Sequence, residues 1–470
     1  MVEPKAMMKL MKTVLLMTVV ALLTALCSYA MTVCAQTASS SGDDWSMFNH
    51  DLAHTGYSTS SAPATNQTLW TFTTGGAIET SPAVVDGTVY FGSDDGSVYA
   101  LNAATGTLVW NYSTGGPVQS SPAVVNDVVY VGGFHSHAVF ALNASSGGLI
   151  WRSSTNSVYP NEISSTAVTN GFVYVDVYNA GEGGEFSALN ASTGGIVWKY
   201  DTEYWITNSP AIYEGIAYFG TNFGELLALN SSTGQTIWTL DETSNGGVQG
   251  SVSASDDLVF VGLSQKVQAL NASSGVVVWS SDIVGGVQSS SPAVANGIVY
   301  VSMAYGQLYG GVSALNETSG TLMWNQIPGS ITDSSPAIAD GVVFVGSDDG
   351  SIHALNATTG TIIWAYTTGE AVYSSPAVAY GAVYVGSNDG KLYAIGTRQG
   401  PSNSSMPSTT PTYSAWPSQK PTLNKSPTPF PPNSIPEFST WIILPLVLTT
   451  MLTAIADIRR KHAKSKVRFL

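Results

Sequence analysis

Short apolar runs separated by turn residues repeat along the chain about every 40 residues. In the clearest copy, residues 334–364, the apolar and β-branched runs are 337–339, 342–346, 351–355 and 361–364. Runs of this length bounded by Gly, Asp and Asn are typical of β-strands, and no segment between them has helical spacing. We therefore predict that each copy is a meander of four short strands.

A tryptophan marks the end of each copy, and in seven consecutive copies a glycine precedes it by four residues. A period near 40 residues with four strands per copy is the signature of a β-propeller blade. We therefore predict an all-β, eight-bladed propeller whose tryptophans fill the core between neighbouring blades. The eight tryptophans are Trp70, Trp110, Trp151, Trp198, Trp238, Trp279, Trp324 and Trp364.

The ends of the repeat array indicate how the ring closes. The last copy stops at residues 391–395 and lacks its own tryptophan strand. An unused strand of that kind, residues 68–73 around Trp70, stands before the first copy. We predict that these two strands pair, so that the ring is closed by the N-terminal strand and has no open edge.

The repeat resembles a known family. Each copy carries versions of Ser-Pro-Ala-Val, Val-Tyr-Val-Gly-Ser, Asp-Gly, Tyr-Ala-Leu-Asn, Thr-Gly and Trp. Over residues 45–397 this pattern resembles the pyrroloquinoline-quinone (PQQ) repeat of quinoprotein dehydrogenases and of the BamB-type assembly lipoproteins. The resemblance implies a quinoprotein alcohol dehydrogenase-like fold and much less about function, because propellers host many activities.

The N-terminal region predicts export. Residues 1–35 read as a signal peptide, with Lys5, Lys9 and Lys12 before an apolar run, and with cleavage before Gln36 or, alternatively, after Ala30. A lead-in segment, residues 36–67, then precedes the propeller at 68–400.

Three groups of residues are considered as metal ligands. In the lead-in segment, His50, Asp51 and His54 are interpreted as part of a cap on the ring rather than as metal ligands. His135 and His137 form a pair for which no further ligand can be assigned. The acidic turns at Asp94, Asp348 and Asn388 are interpreted as hairpin turns, with a structural calcium ion as the alternative. No metal site is therefore predicted.

Sequons for N-glycosylation recur at the turn between the third and fourth strands of the copies. This turn should lie on one face of the ring together with the turn after the first strand. An alternative is that Asn simply suits the turn, and the signal peptide favours glycosylation. The predicted sites are Asn66, Asn111, Asn143, Asn190, Asn230, Asn271, Asn316, Asn356, Asn403 and Asn424.

Departures from the repeat indicate a binding face opposite these sequons. The two longest copies have insertions, residues 178–185 and 304–310, in the hairpin between the second and third strands. Aromatic and acidic residues also occur in the loops between copies, and such residues above a rigid ring are typical of a recognition surface. The candidate residues are Tyr159, Glu162, Tyr178, Tyr204, Trp205, Tyr305 and Tyr373, with Phe134, His135, His137 and Asp333 nearby.

The C-terminal region predicts a stalk and an anchor. Residues 401–436 are rich in Pro, Ser and Thr, which favours an extended stalk. In residues 437–470 a Pro-Glu-Phe motif, an apolar run and a basic tail follow one another, which resembles an archaeal PEF-type sorting signal. The basic tail places the C-terminus in the cytoplasm. We expect an exported protein at the cell surface, anchored to the cytoplasmic membrane.

Charge excludes one class of partner. Residues 36–400 contain 28 Asp and Glu but five Lys and Arg, a net charge of −23. Such a surface repels nucleic acid.

Three functions compete. The favoured one is a non-catalytic cell-surface propeller that binds an extracellular protein or glycan. The alternatives are a quinone-dependent dehydrogenase and a BamB-like envelope assembly factor. The mature chain lacks the vicinal cysteines of the dehydrogenases and a cationic residue suited to the quinone, so no catalytic residue and no cofactor, PQQ included, is predicted.

Overall fold

A computed structural model describes residues 44–154, 164–179, 183–206, 208–248, 250–283, 286–287, 290–305, 309–329 and 333–397. Within these residues the chain forms 33 strands and one 3-10 turn, Thr243–Asn245. No helix in this part of the chain is long and apolar enough to cross a membrane. The predicted signal peptide, stalk and anchor lie outside the described residues.

Two strands precede the blades, β1 (Tyr57–Ser58) and β2 (Gln67–Thr73). Blade 1 contains β3 (Ala83–Val85), β4 (Thr88–Gly92), β5 (Ser97–Asn102) and β6 (Leu108–Ser113). Blade 2 contains β7 (Ala123–Val125), β8 (Val128–Gly133), β9 (Ala138–Asn143) and β10 (Leu149–Ser154). Blade 3 contains β11 (Ala167–Thr169), β12 (Phe172–Asn179), β13 (Gly183–Asn190) and β14 (Ile196–Thr202). Blade 4 contains β15 (Ala211–Tyr213), β16 (Ile216–Gly220), β17 (Glu225–Asn230) and β18 (Thr236–Asp241).

Blades 5 to 8 continue in the same order. Blade 5 contains β19 (Ser253–Ser255), β20 (Leu258–Leu263), β21 (Lys266–Asn271) and β22 (Val277–Asp282). Blade 6 contains β23 (Ala293–Ala295), β24 (Ile298–Tyr305), β25 (Tyr309–Asn316) and β26 (Leu322–Gly329). Blade 7 contains β27 (Ala337–Ala339), β28 (Val342–Gly346), β29 (Ser351–Asn356) and β30 (Ile362–Thr367). Blade 8 contains β31 (Ala377–Ala379), β32 (Ala382–Gly386) and β33 (Lys391–Gly396), and takes its fourth strand from β2.

The predicted closure of the ring is confirmed. β2 pairs antiparallel with β33, and Trp70 lies opposite Ala394 just as Trp110 lies opposite Ala100 in blade 1. The first strand along the chain therefore completes the last blade. The strand predicted to begin at residue 68 begins at Gln67 in the structure.

Hydrogen bonds between turns separate the two faces of the ring. On one face the turn after the first strand meets the turn after the third, as when Ala103 N donates to Gly87 O at 2.8 Å. On the other face the hairpin between the second and third strands meets the loops between blades, as when Asp94 N donates to Ala77 O at 2.9 Å. We call these the sequon face and the hairpin face, and the arrangement agrees with the predicted one.

Each tryptophan joins one blade to the next. The Nε1 of Trp110 donates to the carbonyl of Ala144 in blade 2 at 2.7 Å, and its ring covers Gly147. Gly147 has a φ of +69°, a backbone conformation that residues with a side chain rarely adopt. A Cβ there would also lie 2.7 Å from the indole and clash with it. All eight tryptophans donate in this way, to Ala103, Ala144, Ala191, Ser231, Ala272, Glu317, Ala357 and Pro63.

A tyrosine in the second strand of six blades shares the same acceptor. Tyr90 Oη, for example, donates to the carbonyl of Ala144 at 3.3 Å. Blades 5 and 7 have Phe260 and Phe344 at this position and therefore have only the tryptophan as donor there. The six tyrosines are Tyr90, Tyr130, Tyr174, Tyr218, Tyr300 and Tyr384.

A belt of buried serines links the inner ends of the blades. Ser81 N donates to Oγ of Ser121 in the next blade at 2.9 Å, and the belt returns to its start where Ser375 N donates to Oγ of Ser81. Seven such bonds are present among the described residues. The Ser that recurs before proline in the repeat is thus an inter-blade connector.

The lead-in segment crosses the centre of the ring. Its carbonyls accept N–H bonds of 2.6 to 2.8 Å from the innermost strands of blades 2, 4, 5, 6 and 7, and Trp45 exchanges two bonds with Val84 of blade 1. Ser60 Oγ accepts a bond from Gly381 N in blade 8. The segment therefore caps the ring, in agreement with the interpretation from sequence. The carbonyls belong to Ser46, Leu52, Ala53, Thr55 and Gly56.

The two long insertions differ from the loops that the sequence suggested. Strand pairing continues through Asn179 opposite Gly183 in blade 3 and through Tyr305 opposite Tyr309 in blade 6. Most of each insertion therefore extends a hairpin. The hairpins lie between the second and third strands, as predicted.

We expect replacement of Trp279 by Phe to destabilise the ring more than replacement of Trp110 by Phe. Both rings are equally buried, but the carbonyl of Ala144 keeps the Tyr90 hydroxyl whereas that of Glu317 loses its donor. The difference should be about 1 kcal/mol, the cost of leaving a buried carbonyl unpaired. Urea unfolding of both variants measures it, and equal losses would contradict the shared-acceptor explanation.

Candidate binding face

The lead-in segment covers the sequon face of the central channel. Asp44 Oδ1 accepts bonds from Asp86 N and from the Tyr380 hydroxyl, and both residues belong to turns after first strands. A cavity of about 790 Å³ on this face, between blades 1 and 2, is lined by Asp44, Asp51, Asp86 and Asp127. Asp44 and Asp51 hold the lead-in segment in place, so these carboxylates serve the cap.

The histidines of the lead-in segment are part of the cap too. His54 is buried, its Nδ1 lies 3.1 Å from the carbonyl of Val252, and burial lowers its pKa to about 4. His50 Nδ1 lies 3.2 Å from Asp51 Oδ2, and Asp51 also accepts bonds from Ala53 N and Thr55 N. These contacts fold the segment on itself.

An aromatic cluster stands on the hairpin face between blades 3 and 4. Tyr204 and Trp205 come from the loop between these blades, and Phe223 comes from the hairpin of blade 4. The rings of Tyr204 and Phe223 lie 4.9 Å apart, centroid to centroid. Trp205 is 40% and Phe223 56% exposed, which is high for such large apolar side chains.

Backbone contacts fix this cluster from beneath. Thr202 Oγ1 donates to the carbonyls of Gly184 and Tyr204 at 3.0 and 2.7 Å. Asn222 N donates to the carbonyl of Trp205 at 2.9 Å, and Ile206 is buried. The main chain and the apolar side chain anchor the loop, and the aromatic rings stay at the surface.

An acidic group lies on the same face at blades 7, 8 and 1. It contains Glu79, Asp94, Asp333, Asp348 and Tyr373. Burial, together with Asp333 and Asp349, raises the pKa of Asp348 to about 6. Burial and Asp94 raise the pKa of Glu79, and burial with the nearby carboxylates raises that of Tyr373. In an eight-fold ring this group is diametrically opposite the aromatic cluster.

The predicted site residues are thus brought together only in part. Tyr204 and Trp205 are neighbours, but Tyr373 lies across the ring from them. Tyr159 and Glu162 lie outside the described residues, as do the side chains of Tyr178 and Tyr305.

Phe223 was missed by the sequence analysis. The signal was present, because Asn-Phe-Gly replaces the Asp-Asp-Gly turn of blades 1 and 7 at residues 222–224.

Comparison with known proteins gives the same fold. The structure aligns with quinohemoprotein alcohol dehydrogenase from Comamonas testosteroni (TM-score 0.68, 17% identity, 78% of this chain and 82% of that one). It also aligns with BamB from Moraxella catarrhalis (TM-score 0.57, 18% identity, 71% of this chain and 100% of that one). A third match is the computationally designed Ika8 protein (TM-score 0.61, 17% identity, 70% of this chain and 100% of that one). At these identities the likeness shows the fold alone.

The sequence comparison decides the family. The family described as outer membrane protein assembly factor BamB matches residues 59–168, 135–309 and 309–403, which is most of the chain. The chain belongs to the BamB-type PQQ-repeat family. No curated protein sequence matches it.

The residues of this family member do not fit a PQQ cofactor. PQQ carries three carboxylates and needs cationic partners, but no Lys or Arg occurs in the innermost strands or in the loops between blades. The hairpin face instead presents Glu79, Asp94, Asp333 and Asp348, which repel such an anion. Structural neighbours include quinoprotein dehydrogenases, but at these identities the likeness says nothing about a cofactor of this chain.

The acidic hairpin turns are held by their own backbone. Asp349 Oδ1 accepts Ser351 N at 2.8 Å, and Asp389 Oδ1 accepts Lys391 N at 3.0 Å. The described residues contain no group of three or more His, Cys, Asp or Glu that could hold a metal ion. His135 stacks on Phe134 at 4.2 Å, which gives that hairpin a packing role.

The sequon turns share one hydrogen-bond pattern. Asn143 Oδ1 accepts bonds from both N and Oγ of Ser145 and of Ser146 at 2.8 to 3.2 Å. Asn102 makes the same turn with Ala104 and Thr105 although no sequon is present there. Asparagine therefore forms this turn whether or not it belongs to a sequon, and its glycosylation stays a prediction.

We expect the difference in melting temperature between the wild type and the Asp348→Asn variant to shift in favour of the wild type as the pH falls from 7 to 5. The folded-state pKa of Asp348, about 6, is above its usual 3.8, so the folded protein binds this proton first and gains stability as pH falls through 6. Asn388 holds the equivalent position in blade 8, so the substitution should be tolerated.

A matched control is replacement of Asp241 by Asn. The pKa of this exposed carboxyl is lowered by its hydrogen bonds with Thr243, so it stays ionised between pH 5 and 7. The difference in melting temperature between the wild type and the D241N variant should stay constant from pH 7 to pH 5. A D348N variant whose difference also stays constant would contradict the assignment.

Proposed function

We propose that this chain is a non-catalytic, exported propeller that binds a protein or glycan partner through its hairpin face. The aromatic cluster of Tyr204, Trp205 and Phe223, in which Trp205 and Phe223 are exposed, carries the proposal. Aromatic side chains on a preformed support are frequent binding hot spots, because they bury a large area with few rotatable bonds.

The lead-in segment supports the choice of this face. Because the segment covers the channel on the sequon face, the hairpin face is the end of the ring that this segment does not cover. The aromatic cluster lies beside that end, on loops that hydrogen bonds hold in place. Binding should therefore cost little conformational entropy. The acidic group at blades 7, 8 and 1 would favour a partner with a basic or neutral surface.

The non-catalytic part of the proposal rests on the composition of the same face. Its carboxylates, and the lack of Lys and Arg in the innermost strands and in the loops between blades, oppose PQQ. The chain has two cysteines, both in the predicted signal peptide. The second candidate is an envelope assembly factor, which membership of the BamB-type family favours.

The location at the cell surface rests on sequence features. A signal peptide at 1–35, a stalk at 401–436 and a basic tail after an apolar run at 437–470 together describe an exported and anchored protein.

We expect the full-length protein, expressed with its own termini, to sediment with the membrane fraction and to be degraded by protease added to intact cells. A cytoplasmic protein of known abundance serves as the control for lysis. Recovery of the propeller in the cytosol would contradict the proposed location.

We expect the purified full-length protein to bind ligands on a glycan and surface-protein array, and replacement of Trp205 or Phe223 by Ala to weaken that binding about tenfold or more. Both side chains are exposed, so the variants should fold. Replacement of Val276 by Ala, at a position 63% exposed on the sequon face, is the control and should bind like the wild type.

Addition of PQQ to the same preparation separates the alternatives. Quinone absorbance retained after gel filtration, together with dye-linked alcohol oxidation, would contradict the non-catalytic proposal. Array binding that survives both aromatic substitutions would place the binding face elsewhere.

A further inference from the structure

The outer strands of the blades carry a belt of exposed aliphatic residues. In blades 1 to 7 the one or two residues immediately before the tryptophan are apolar and are 38% to 52% exposed. We call them the aliphatic belt. They are Leu108, Val109, Leu149, Ile150, Ile196, Val197, Ile237, Val277, Val278, Leu322, Met323, Ile362 and Ile363.

These residues stand on strands that are edges. The fourth strand of each blade has a hydrogen-bonding partner on its inner side only, as with the order β3-β4-β5-β6 in blade 1. An exposed edge strand with apolar side chains is a template for pairing with other chains. Adjacent apolar pairs repeated around the rim exceed the scattered exposure that is ordinary for a soluble protein.

The sequons of the ring are distributed one per blade. Blades 2 to 7 have theirs at the turn that leads into the outer strand. Blade 1 has Asn102 without a sequon at that turn but carries Asn111 on the outer strand itself, and blade 8, which lacks that turn, carries Asn66 just before β2. Turn formation explains six of these asparagines and neither of the other two.

The sequons lie beside the belt. Asn143 N donates to the carbonyl of Gly148 at 2.8 Å, and Leu149 and Ile150 follow directly. In blade 1, Asn111 is two residues from Val109 and thus shares its side of β6. Asn66 reaches the outer strand of blade 7, because its Nδ2 donates to the carbonyl of Ala365 at 2.7 Å.

The turn leaves the reactive atom uncommitted. The side-chain hydrogen bonds of Asn143 within the turn all go to Oδ1, and no hydrogen bond from its Nδ2 occurs among the described residues. Attachment of a glycan replaces one hydrogen on Nδ2, so the turn can persist in the modified protein.

We propose that N-linked glycans at the eight ring sequons form a sheath that covers the aliphatic belt and blocks edge-to-edge pairing of the outer strands. Each Asn Nδ2 forms a bond to C1 of a sugar supplied as a lipid-linked glycosyl phosphate. The C1–O bond to phosphate breaks, and the phosphate leaves with the electron pair while the amide proton is lost to a base. The bulk and polarity of the glycan supply the protection.

This inference relies on the export that we proposed above but not on any binding partner. Glycan-free asparagines in a protein that still binds its array ligand would contradict the sheath alone. Loss of array binding in a fully glycosylated protein would contradict the proposed function alone.

The chain offers matched variants for the test. Ser145, Ser273 and Thr318 complete the sequons of Asn143, Asn271 and Asn316, and each donates its hydroxyl to the asparagine Oδ1. The following residues, Ser146, Ser274 and Ser319, donate to the same atoms at 2.8 to 2.9 Å but are not part of the sequons. Replacing either set by Ala removes similar hydrogen bonds, and only the first set removes glycans.

The full-length chain is produced in a host that N-glycosylates exported proteins. Peptide mass mapping should find a glycan on Asn66, Asn111, Asn143, Asn190, Asn230, Asn271, Asn316 and Asn356. The triple variant S145A/S273A/T318A should then bind the apolar dye ANS with about twofold higher fluorescence and associate into larger species by light scattering. The triple variant S146A/S274A/S319A should behave like the wild type, and equal circular dichroism spectra verify that both fold.

Three results would overturn the proposal. The first is unmodified asparagines in the exported wild type. The second is a sequon variant whose ANS fluorescence and mean mass equal those of its control, because the glycans then cover nothing. The third is a glycosylated wild type that is already a dimer, with a belt protected by a second copy of the chain.

Discussion

The contact on which the ring depends is the one between a tryptophan and the carbonyl of the next blade. It fixes three features at once: a tryptophan in the outer strand, a left-handed glycine beneath its ring, and a turn whose second residue presents its carbonyl. Seven blades donate to the next blade in the same direction around the ring, so the same contact geometry is repeated from blade to blade. The tyrosine of the second strand reinforces the contact in six blades.

A closed ring needs one joint where the chain ends meet, and here the repeat is necessarily broken. The fourth strand of blade 8 is β2, so the chain does not turn from the third strand of this blade into its fourth. Trp364 of blade 7 donates instead to the carbonyl of Pro63 in the lead-in segment. Thr68 and Asn66 add side-chain bonds to Tyr366 and Ala365 across the same joint. The lead-in segment therefore both completes the last inter-blade contact and caps the channel, which couples folding of the N-terminus to closure of the ring.

The two faces of the ring therefore carry different structural features. The sequon face is occupied by the cap, the regular asparagine turns and the start of the outer strands. The hairpin face is where the repeat varies, because hairpin tips and inter-blade loops are not constrained by the tryptophan contact. Aromatic residues at blades 3 and 4 and carboxylates at blades 7, 8 and 1 accumulate there. This division explains how a fold shared with dehydrogenases, an assembly factor and a designed protein can present a distinct surface.

The sequence by itself determined the blade number, the strand order within a blade, the closure by β2 and the core position of the tryptophans. Each of these features follows from a local sequence pattern that occurs eight times along the chain. One copy alone is weak evidence for the order of its strands, whereas eight copies with the same pattern are strong evidence. Tertiary structure alone decided that the lead-in segment bonds to innermost strands far apart in sequence, that Phe223 joins Tyr204 and Trp205, and that Tyr373 lies across the ring from them. Those relations depend on how distant segments are placed around a common axis, and the spacing along the chain does not record which loops face each other.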